Sequence, residues 1–341
     1  MRSDFGHLLP EVIFEAVEAL GGRCTGRFLA LHAMENRVYD VEREDRDNVV
    51  VKFYRPGRWS ESAIRGEHEF LAACAAAEVP VVCALAGEDG RTVFEIQGIF
   101  YAMFPKRPGR LEPELDRDAL KRLGRYLARI HNVGASFPPV ARARLTPDTY
   151  GRESVDYLLG QDLLAPGLAP VYAQYARQIC DLVDPLFERA RFVLTHGDCH
   201  AGNVLWRDGS PYFIDFDDMI YAPPVQDFWM LIGGDDAVAM ENRDVLLSGY
   251  TEIREFDESS LDLIEPLRAL RMVHFSAWIA RRREDGAFRA AFPHFGTERY
   301  WQGQIEDLSR QLDRLREVLE RSSPSGAPES DPDPGSTFDW E

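Results

Sequence analysis

The chain has 341 residues, 45% of them hydrophobic, so it is long enough to fold around a large core or as two lobes. Its net charge of −18 argues against general nucleic-acid binding, because a polyphosphate backbone would repel it. No apolar run reaches the roughly 18 residues that span a bilayer, and the five cysteines show no paired spacing. We therefore expect a cytoplasmic monomer that binds neither membrane nor nucleic acid.

The first hundred residues alternate between short apolar strands and two helical patterns. Apolar residues recur at helical spacing over 8–21 and again over 61–77, where Ser60 is the expected N-cap. Strands are predicted over 28–31, 36–42, 48–54, 92–96 and 100–104. This pattern indicates a small antiparallel sheet in an N-terminal lobe over 1–105.

The pattern of strands ends at Pro105-Lys106-Arg107-Pro108-Gly109, which we interpret as a hinge between two lobes. Helices are predicted beyond it over 116–133, 171–189, 225–232, 243–253, 261–282 and 297–321. The fold class is therefore α+β, with a larger, mainly helical C-terminal lobe over 106–321. The acidic segment 322–341 is rich in Ser, Pro and Gly, so we expect it to be disordered.

The most informative stretch interrupts this helical half. Apolar runs on both sides of Asp208-Gly209 predict a short antiparallel hairpin. Asn203 and Asp215 each lie six residues from Gly209, so in a symmetric hairpin they would face each other. An amide oxygen and a carboxylate form a hard-oxygen site for Mg²⁺. The two motifs read His196-Gly197-Asp198-Cys199-His200-Ala201-Gly202-Asn203 and Tyr212-Phe213-Ile214-Asp215-Phe216-Asp217-Asp218.

Asp198 lies one short loop before this metal site and is the candidate proton acceptor. A base beside a magnesium site is the layout needed to move a phosphoryl group from ATP to a hydroxyl. Asp217 shares the face of Asp215 if the strand continues, so the number of Mg²⁺ ions stays open. Asp227 is expected to hold the loop at His196 by hydrogen bonds. A zinc cluster at this loop is the alternative, but no second Cys/His pair lies near enough in sequence.

Lysine is rare in this chain: only three of the 39 basic residues are lysines. Lys52 lies within an apolar strand, where an ordinary surface charge is out of place, and we expect it to bind the α- and β-phosphates. A strand lysine needs an anionic partner. Glu67 on the following helix is the preferred one, since Glu61 and Glu69 are expected to face solvent.

The turn at 31–37 separates the first two strands, where backbone amides cover the phosphates in a kinase. It contains no glycine, but small Ala33 permits close approach of the backbone, and Glu35, Asn36 or Arg37 is expected to contact the nucleotide.

Two other features have ordinary explanations. The run 281–283 is three arginines at a helix end, which we expect to be solvated, and His131 is expected to be a hydrogen-bonded core residue.

The loop His-Gly-Asp-x-His-x-x-Asn followed by Ile-Asp-Phe-x-Asp resembles the aminoglycoside phosphotransferase and choline kinase branch of the protein-kinase-like superfamily. Over nearly the whole chain to about residue 320, the resemblance narrows to the bacterial stress response kinase A family. The stretches that carry this narrower resemblance are 35–39, 51–56, 196–203 and 264–269, which read ENRVY, VKFYRP, HGDCHAGN and IEPLRA.

This resemblance implies a two-lobed protein-kinase-like fold that uses ATP with Mg²⁺ and phosphorylates Ser/Thr hydroxyls of proteins in a stress response. It implies that Asp198 is the proton acceptor and that Asn203 and Asp215 bind Mg²⁺. It also counts Asp215 as an active-site residue and places position 33 beside ATP. That family commonly carries Ser where Ala33 stands here.

In this hypothesis ATP binds to the N-terminal lobe, between the two lobes near Pro105. Two other functions compete with it. A small-molecule kinase acting on an amino alcohol, sugar or aminoglycoside is compatible with the net charge of −18, because an acidic cavity suits a cationic acceptor. A nucleotide-binding regulator without turnover is the second alternative. The complete set of Lys52, Asp198, Asn203 and Asp215 argues against it.

Overall fold

The fold is described from a computed structural model that covers residues 5–31, 33–44, 46–112, 114–234 and 236–322. The segment 323–341, most of the predicted tail, lies outside these residues. The expected fold class is confirmed, since a small antiparallel sheet precedes a larger part built mainly from helices. Over the described ranges, no helix combines the length and the apolar character that a membrane crossing requires.

The N-terminal part of the chain contains two helices and five strands: α1 (Pro10–Glu18), β1 (Cys24–Leu31), β2 (Arg37–Arg43), β3 (Val49–Phe53), α2 (Glu61–Ala76), β4 (Phe94–Ile96) and β5 (Ile99–Pro105). The strands form one antiparallel sheet in the order β1-β2-β3-β5-β4. Helix α2 begins after Ser60, whose side chain accepts a hydrogen bond from the backbone N–H of Ala63, as predicted for an N-cap.

Strand β3 is buried on both faces, and the alternating directions of its side chains determine which face of the sheet Lys52 lies on. Val49, Val51 and Phe53 pack in one apolar cluster with Ile13 of α1. Because successive side chains of a strand point to opposite faces, Lys52 lies on the other side of the sheet. That side faces α2 and the C-terminal part of the chain.

The C-terminal part follows the connection after β5. Its helices are α3 (Arg117–Ser136), α4 (Glu153–Gly160), α5 (Ala169–Arg189), α6 (Val225–Leu231), α7 (Ala237–Thr251), α8 (Ile264–Ala280), α9 (Gly286–Ala291) and α10 (Glu298–Ser322), with a π-helical segment at Pro147–Arg152. Its strands are β6 (Val193–Thr195), β7 (Val204–Arg207), β8 (Ser210–Phe213) and β9 (Ile220–Ala222). The π-helical segment, α4, α9 and the pair β6–β9 were not predicted, because they are too short for a periodic pattern.

The hairpin β7–β8 has a register that differs by one residue from the expected one. Asp208 and Gly209 both have positive φ and form a two-residue turn, so the hairpin is centred between them rather than on Gly209. Ile214 lies opposite Asn203 and donates its backbone N–H to the Asn203 carbonyl at 3.0 Å. The prediction that Asp215 faces Asn203 across the hairpin is therefore wrong.

Helices α3 and α7 cross so closely that their backbones touch through glycines. A Cβ added at Gly124 of α3 would lie 2.0 Å from the carbonyl oxygen of Leu246. A Cβ at Gly249 of α7 would lie 2.2 Å from the carbonyl oxygen of Lys121. Neither carbonyl can move away without disturbing its own helix, so this crossing requires both glycines.

We expect Gly124→Ala to lower the free energy of unfolding by about 2–3 kcal/mol, since the added methyl group forces the helices apart. Gly303 of α10 is the matched control, because a Cβ there meets no atom within 4 Å. Gly303→Ala should instead raise stability by about 0.5–1 kcal/mol through helix propensity. Urea unfolding followed by circular dichroism measures both changes. Equal effects of the two substitutions would contradict the close crossing.

Candidate active site

The Lys52 side chain is buried and surrounded by carboxylates from two parts of the chain. Its Nζ lies 2.9 Å from Asp215 Oδ1, 2.6 Å from Asp217 Oδ1 and 3.9 Å from Glu67 Oε1. Burial by itself would lower the pKa of Lys52, but the three carboxylates outweigh it and raise the pKa well above its ordinary value. Lys52 is therefore a fixed positive charge where the sheet meets the C-terminal lobe.

Glu67 approaches Lys52 from α2 and is 1% exposed. It also accepts a hydrogen bond of 3.3 Å from Arg142, so it joins α2 to the C-terminal lobe. Burial raises the pKa of Glu67 to about 8, although Lys52 and Arg142 act to lower it. The other candidate on this helix, Glu69, is exposed and pairs with Arg65 at 3.7 Å.

Asp217 is a buried counter-ion for several side chains. It contacts Lys52, pairs with Arg58 at 3.4 Å and accepts a short hydrogen bond from the amide of Asn36. Burial would raise the pKa of Asp217, but Lys52 and Arg58 outweigh that effect and lower it to about 2. The chain thus neutralises this carboxylate with its own cations, which weakens the case for Asp217 as a ligand of a second metal ion.

Asp215 follows β8 in the left-handed region, with φ 60° and ψ 64°. This backbone conformation is uncommon for a residue other than glycine, and it turns the chain sharply after the strand. The side chain is 49% exposed, and one of its oxygens accepts from Lys52 at 2.9 Å. The carboxylate therefore projects into the cleft instead of across the hairpin.

The other predicted metal ligand, Asn203, is oriented by the backbone of the candidate base. Its Nδ2 donates to the carbonyl of Asp198 at 2.9 Å, which assigns Oδ1 as the free acceptor of the amide. His200 lies between them and accepts from the backbone N–H of Gly202 at 3.0 Å, which shapes the turn. Asn203 and the Asp198 loop therefore form one rigid unit.

The carboxylate of Asp198 lies between two basic side chains. Arg271 of α8 lies 3.0 Å from Oδ1, and His200 Nε2 lies 3.5 Å from Oδ2. Arg271 was not predicted as a site residue, since no local pattern marks it and 73 residues separate it from Asp198. Within the described ranges, no group of three or more His, Cys, Asp or Glu side chains is arranged to hold a metal.

A buried carboxylate below the loop holds its backbone in place. Asp227 accepts hydrogen bonds from the backbone N–H groups of His196 and Gly197 at 3.0 and 2.9 Å, as predicted. His131 lies 3.0 Å away on the same carboxylate, and His196 Nε2 lies 2.9 Å from the carbonyl oxygen of Ile214. Burial would raise the pKa of Asp227, but the hydrogen bond and charge of His131 contribute to a net lowering. His131 is a hydrogen-bonded core residue, as expected.

The turn between β1 and β2 is tied to the rest of the cleft. Asn36 is buried, accepts from the backbone N–H of Arg55 at 3.1 Å and donates to Asp217. Glu35 pairs with Arg55 at 2.9 Å and with Arg282 at 2.5 Å. Arg282 is thus an interlobe contact with a side chain only 10% exposed, and the expectation that the whole run 281–283 is solvated is wrong.

Asp285, just before α9, is a second anchor for the same region. It pairs with Arg55 at 2.8 Å and with Arg37 at 3.2 Å. Ala33 lies in the turn that these contacts hold and is partly buried. The sequence gives no sign of this network, because its members are up to 248 residues apart.

A buried lysine on a small antiparallel sheet, paired with a helix glutamate and with carboxylates from a following helical lobe, is the arrangement found in kinase-like phosphotransferases. Residues 29–264 match the phosphotransferase enzyme family APH. Stress response kinase A of Salmonella choleraesuis strain SC-B67 is 39% identical over 314 residues, which are 92% of this chain and 95% of that protein. Stress response kinase A of Escherichia coli K12 is 38% identical over the same shares. The chain belongs to the stress response kinase A family of phosphotransferases.

Solved structures agree on the fold. Amicoumacin kinase hAmiN, in complex with AMP-PNP, Ca²⁺ and Ami, superposes on this chain with a TM-score of 0.67 at 20% identity. The match covers 92% of this chain and 94% of that chain. A microcompartment-associated aminopropanol kinase has a TM-score of 0.65 at 19% identity, with 91% and 98% covered. At these identities the likeness shows the shared fold alone.

Asp227→Asn should loosen the loop at His196 and Gly197. An amide has one acceptor oxygen instead of two, so one of the backbone N–H groups of His196 and Gly197 loses its partner inside the core. We expect the free energy of unfolding to fall by about 1–3 kcal/mol. Chemical denaturation measures this loss, and hydrogen exchange at the loop amides reports whether it is local. Unchanged exchange at these amides would contradict the role assigned to Asp227.

Proposed function

We propose that this chain transfers the γ-phosphoryl group of ATP to Ser or Thr hydroxyls of proteins in a stress response, using Mg²⁺. The observation that carries the proposal is the convergence of the four predicted groups on one cleft. Asn203 is bonded to the backbone of Asp198, and Asp215 is bonded to Lys52. The two pairs are joined through the backbone, because Ile214, the residue before Asp215, donates its N–H to the Asn203 carbonyl at 3.0 Å.

The metal ligands are Asn203 and Asp215, whose oxygens match the preference of Mg²⁺. The amide of Asn203 is oriented by its bond to the Asp198 carbonyl, and the Asp215 carboxylate is half exposed to the cleft. When bound, the ion neutralises charge on the phosphates of ATP. Two protein ligands suffice, because Mg²⁺ retains water and phosphate oxygens in its shell.

Lys52 holds the phosphates of ATP in this proposal. Its ammonium is already fixed by Glu67, Asp215 and Asp217, so little side-chain entropy is lost when a nucleotide binds. The turn with Ala33 and Asn36 covers the nucleotide from the sheet side. Because Asn36 is bonded to both Arg55 and Asp217, this turn is preorganised.

Asp198 orients the acceptor hydroxyl and takes its proton as the new P–O bond forms. Arg271 holds one carboxylate oxygen at 3.0 Å, while the other lies 3.5 Å from His200. The loop under Asp198 is fixed by Asp227, so the base is positioned before the acceptor arrives. Catalysis therefore rests on positioning and on neutralisation of charge.

A protein acceptor is supported by the name of one relative. The protein of Salmonella typhimurium strain LT2 that is 38% identical over 92% of this chain is called serine/threonine protein kinase RdoA. The small-molecule alternative is tested beside it, with amino alcohols, sugars and aminoglycosides as acceptors.

Asp198→Asn should lower the rate of phosphoryl transfer by about 10²–10⁴-fold, because the amide cannot accept the proton of the hydroxyl. Asp208→Asn is the matched control: Asp208 is exposed at the hairpin turn and its positive φ suits asparagine. Transfer from γ-labelled ATP to protein acceptors measures the rate, and calorimetry checks that ATP binding is retained. Transfer that survives Asp198→Asn would overturn the assignment. Turnover of a metabolite far above that of any protein would favour the small-molecule kinase.

Asp215→Asn should raise the Mg²⁺ concentration needed for half-maximal transfer by at least about tenfold, because a neutral amide is a weaker ligand for a hard cation. The Mg²⁺ dependence of the rate at saturating ATP measures this shift, with Asp208→Asn again as the control. An unchanged Mg²⁺ requirement would show that Asp215 does not bind the ion.

A further inference from the structure

Helix α8 presents a continuous strip of side chains that begins beside the candidate base. These side chains lie on one side of the helix, because each is three residues after the one before it or directly next to it in sequence. They are Arg271, His274, Phe275, Trp278 and Arg281. We call these five residues the α8 strip. Its first member contacts Asp198, and Phe275 and Trp278 stack with ring centroids 5.4 Å apart.

The α8 strip lies in a region rich in arginine, although the chain as a whole carries a net charge of −18. Burial lowers the pKa of His274 to about 3, and the charges of four arginines act in the same direction. These four are Arg58, Arg271, Arg281 and Arg282. Three of the four pair with carboxylates of the cleft, so Arg281 is the one left to meet an acceptor that reaches Asp198 along this side.

Among the described residues, Arg281 contacts an aromatic ring and not a carboxylate. Its guanidinium lies over the ring of Tyr157 at 4.2 Å, and the residue is exposed. Its two neighbours in the run are paired, Arg282 with Glu35 at 2.5 Å and Arg283 with Glu284 at 3.3 Å. In the part of the chain that the structure describes, no carboxylate lies within ion-pair distance of Arg281.

We propose that the α8 strip binds an acidic segment of the protein substrate, with an Asp or Glu carboxylate paired to Arg281. This inference rests on the proposed function. Arg271 and Arg281 are ten residues apart, which is about 15 Å along a helix. An extended peptide rises about 3.3 Å per residue. The acidic side chain therefore lies four or five residues from the Ser or Thr that reaches Asp198.

The experiment uses the full chain and synthetic peptides with one Ser in a neutral background. A single Asp is moved through positions one to six on each side of the Ser, and Asn replaces it in matched peptides. We expect Asp to raise kcat/KM over Asn by about fivefold at four or five residues on one side, as for one exposed ion pair. The preference should disappear in Arg281→Gln and reverse toward Lys in Arg281→Glu.

Arg283→Gln is the matched control, because it removes a neighbouring arginine that already has a partner. It should retain the preference, and circular dichroism confirms that each variant is folded. A preference that persists in Arg281→Gln, or the lack of any Asp preference while Asp198-dependent transfer to peptides continues, overturns the inference and leaves the proposed function intact.

Peptide binding separates the remaining outcomes. Fluorescence anisotropy compares labelled Asp and Asn peptides on the wild-type chain and on Arg281→Gln. If Arg281-dependent preference for the Asp peptide occurs without phosphoryl transfer to any peptide or protein, the docking strip stands and the protein-kinase function fails. If neither binding preference nor transfer is found, both are overturned.

Discussion

The charge of Lys52 is the constraint on which the cleft depends. An ammonium buried at the centre of a sheet is costly unless carboxylates and hydrogen bonds compensate it. The chain supplies Glu67 from α2 together with Asp215 and Asp217 from the segment after β8. Because these groups come from both lobes, satisfying one charge also fixes the lobes relative to each other. The same contacts preposition the groups that a phosphotransferase needs.

Around this centre, arginine side chains each join two carboxylates. Arg55 bridges Glu35 and Asp285, while Arg58 bridges Asp217 and Asp218. A planar guanidinium with several donors can satisfy two carboxylates at once. The buried strand position at the centre has a compact ammonium instead, which contacts three carboxylates.

Features governed by local rules could be predicted from the sequence. The sheet strands, the cap of α2 and the buried role of Asp227 follow from alternation, capping chemistry and the need to satisfy a buried carboxylate. The register at Asn203 was missed by one residue because two positive-φ residues, and not one, form the hairpin turn. Arg271 and Arg282 were missed for another reason. Their partners are distant in sequence, and nothing in a helical pattern says which arginine meets a distant carboxylate.

The turn between β1 and β2 has a consequence for product release. In many nucleotide-binding proteins a flexible loop opens so that the spent nucleotide can leave. Here Glu35 is clamped by Arg55 and Arg282, and Asn36 is bonded to Asp217. Because these contacts tie the turn to the C-terminal lobe, its opening for release of ADP requires the interlobe contacts to break. The side chains that make them are largely buried, and salt screens buried ion pairs little, so ionic strength alone does not free the turn.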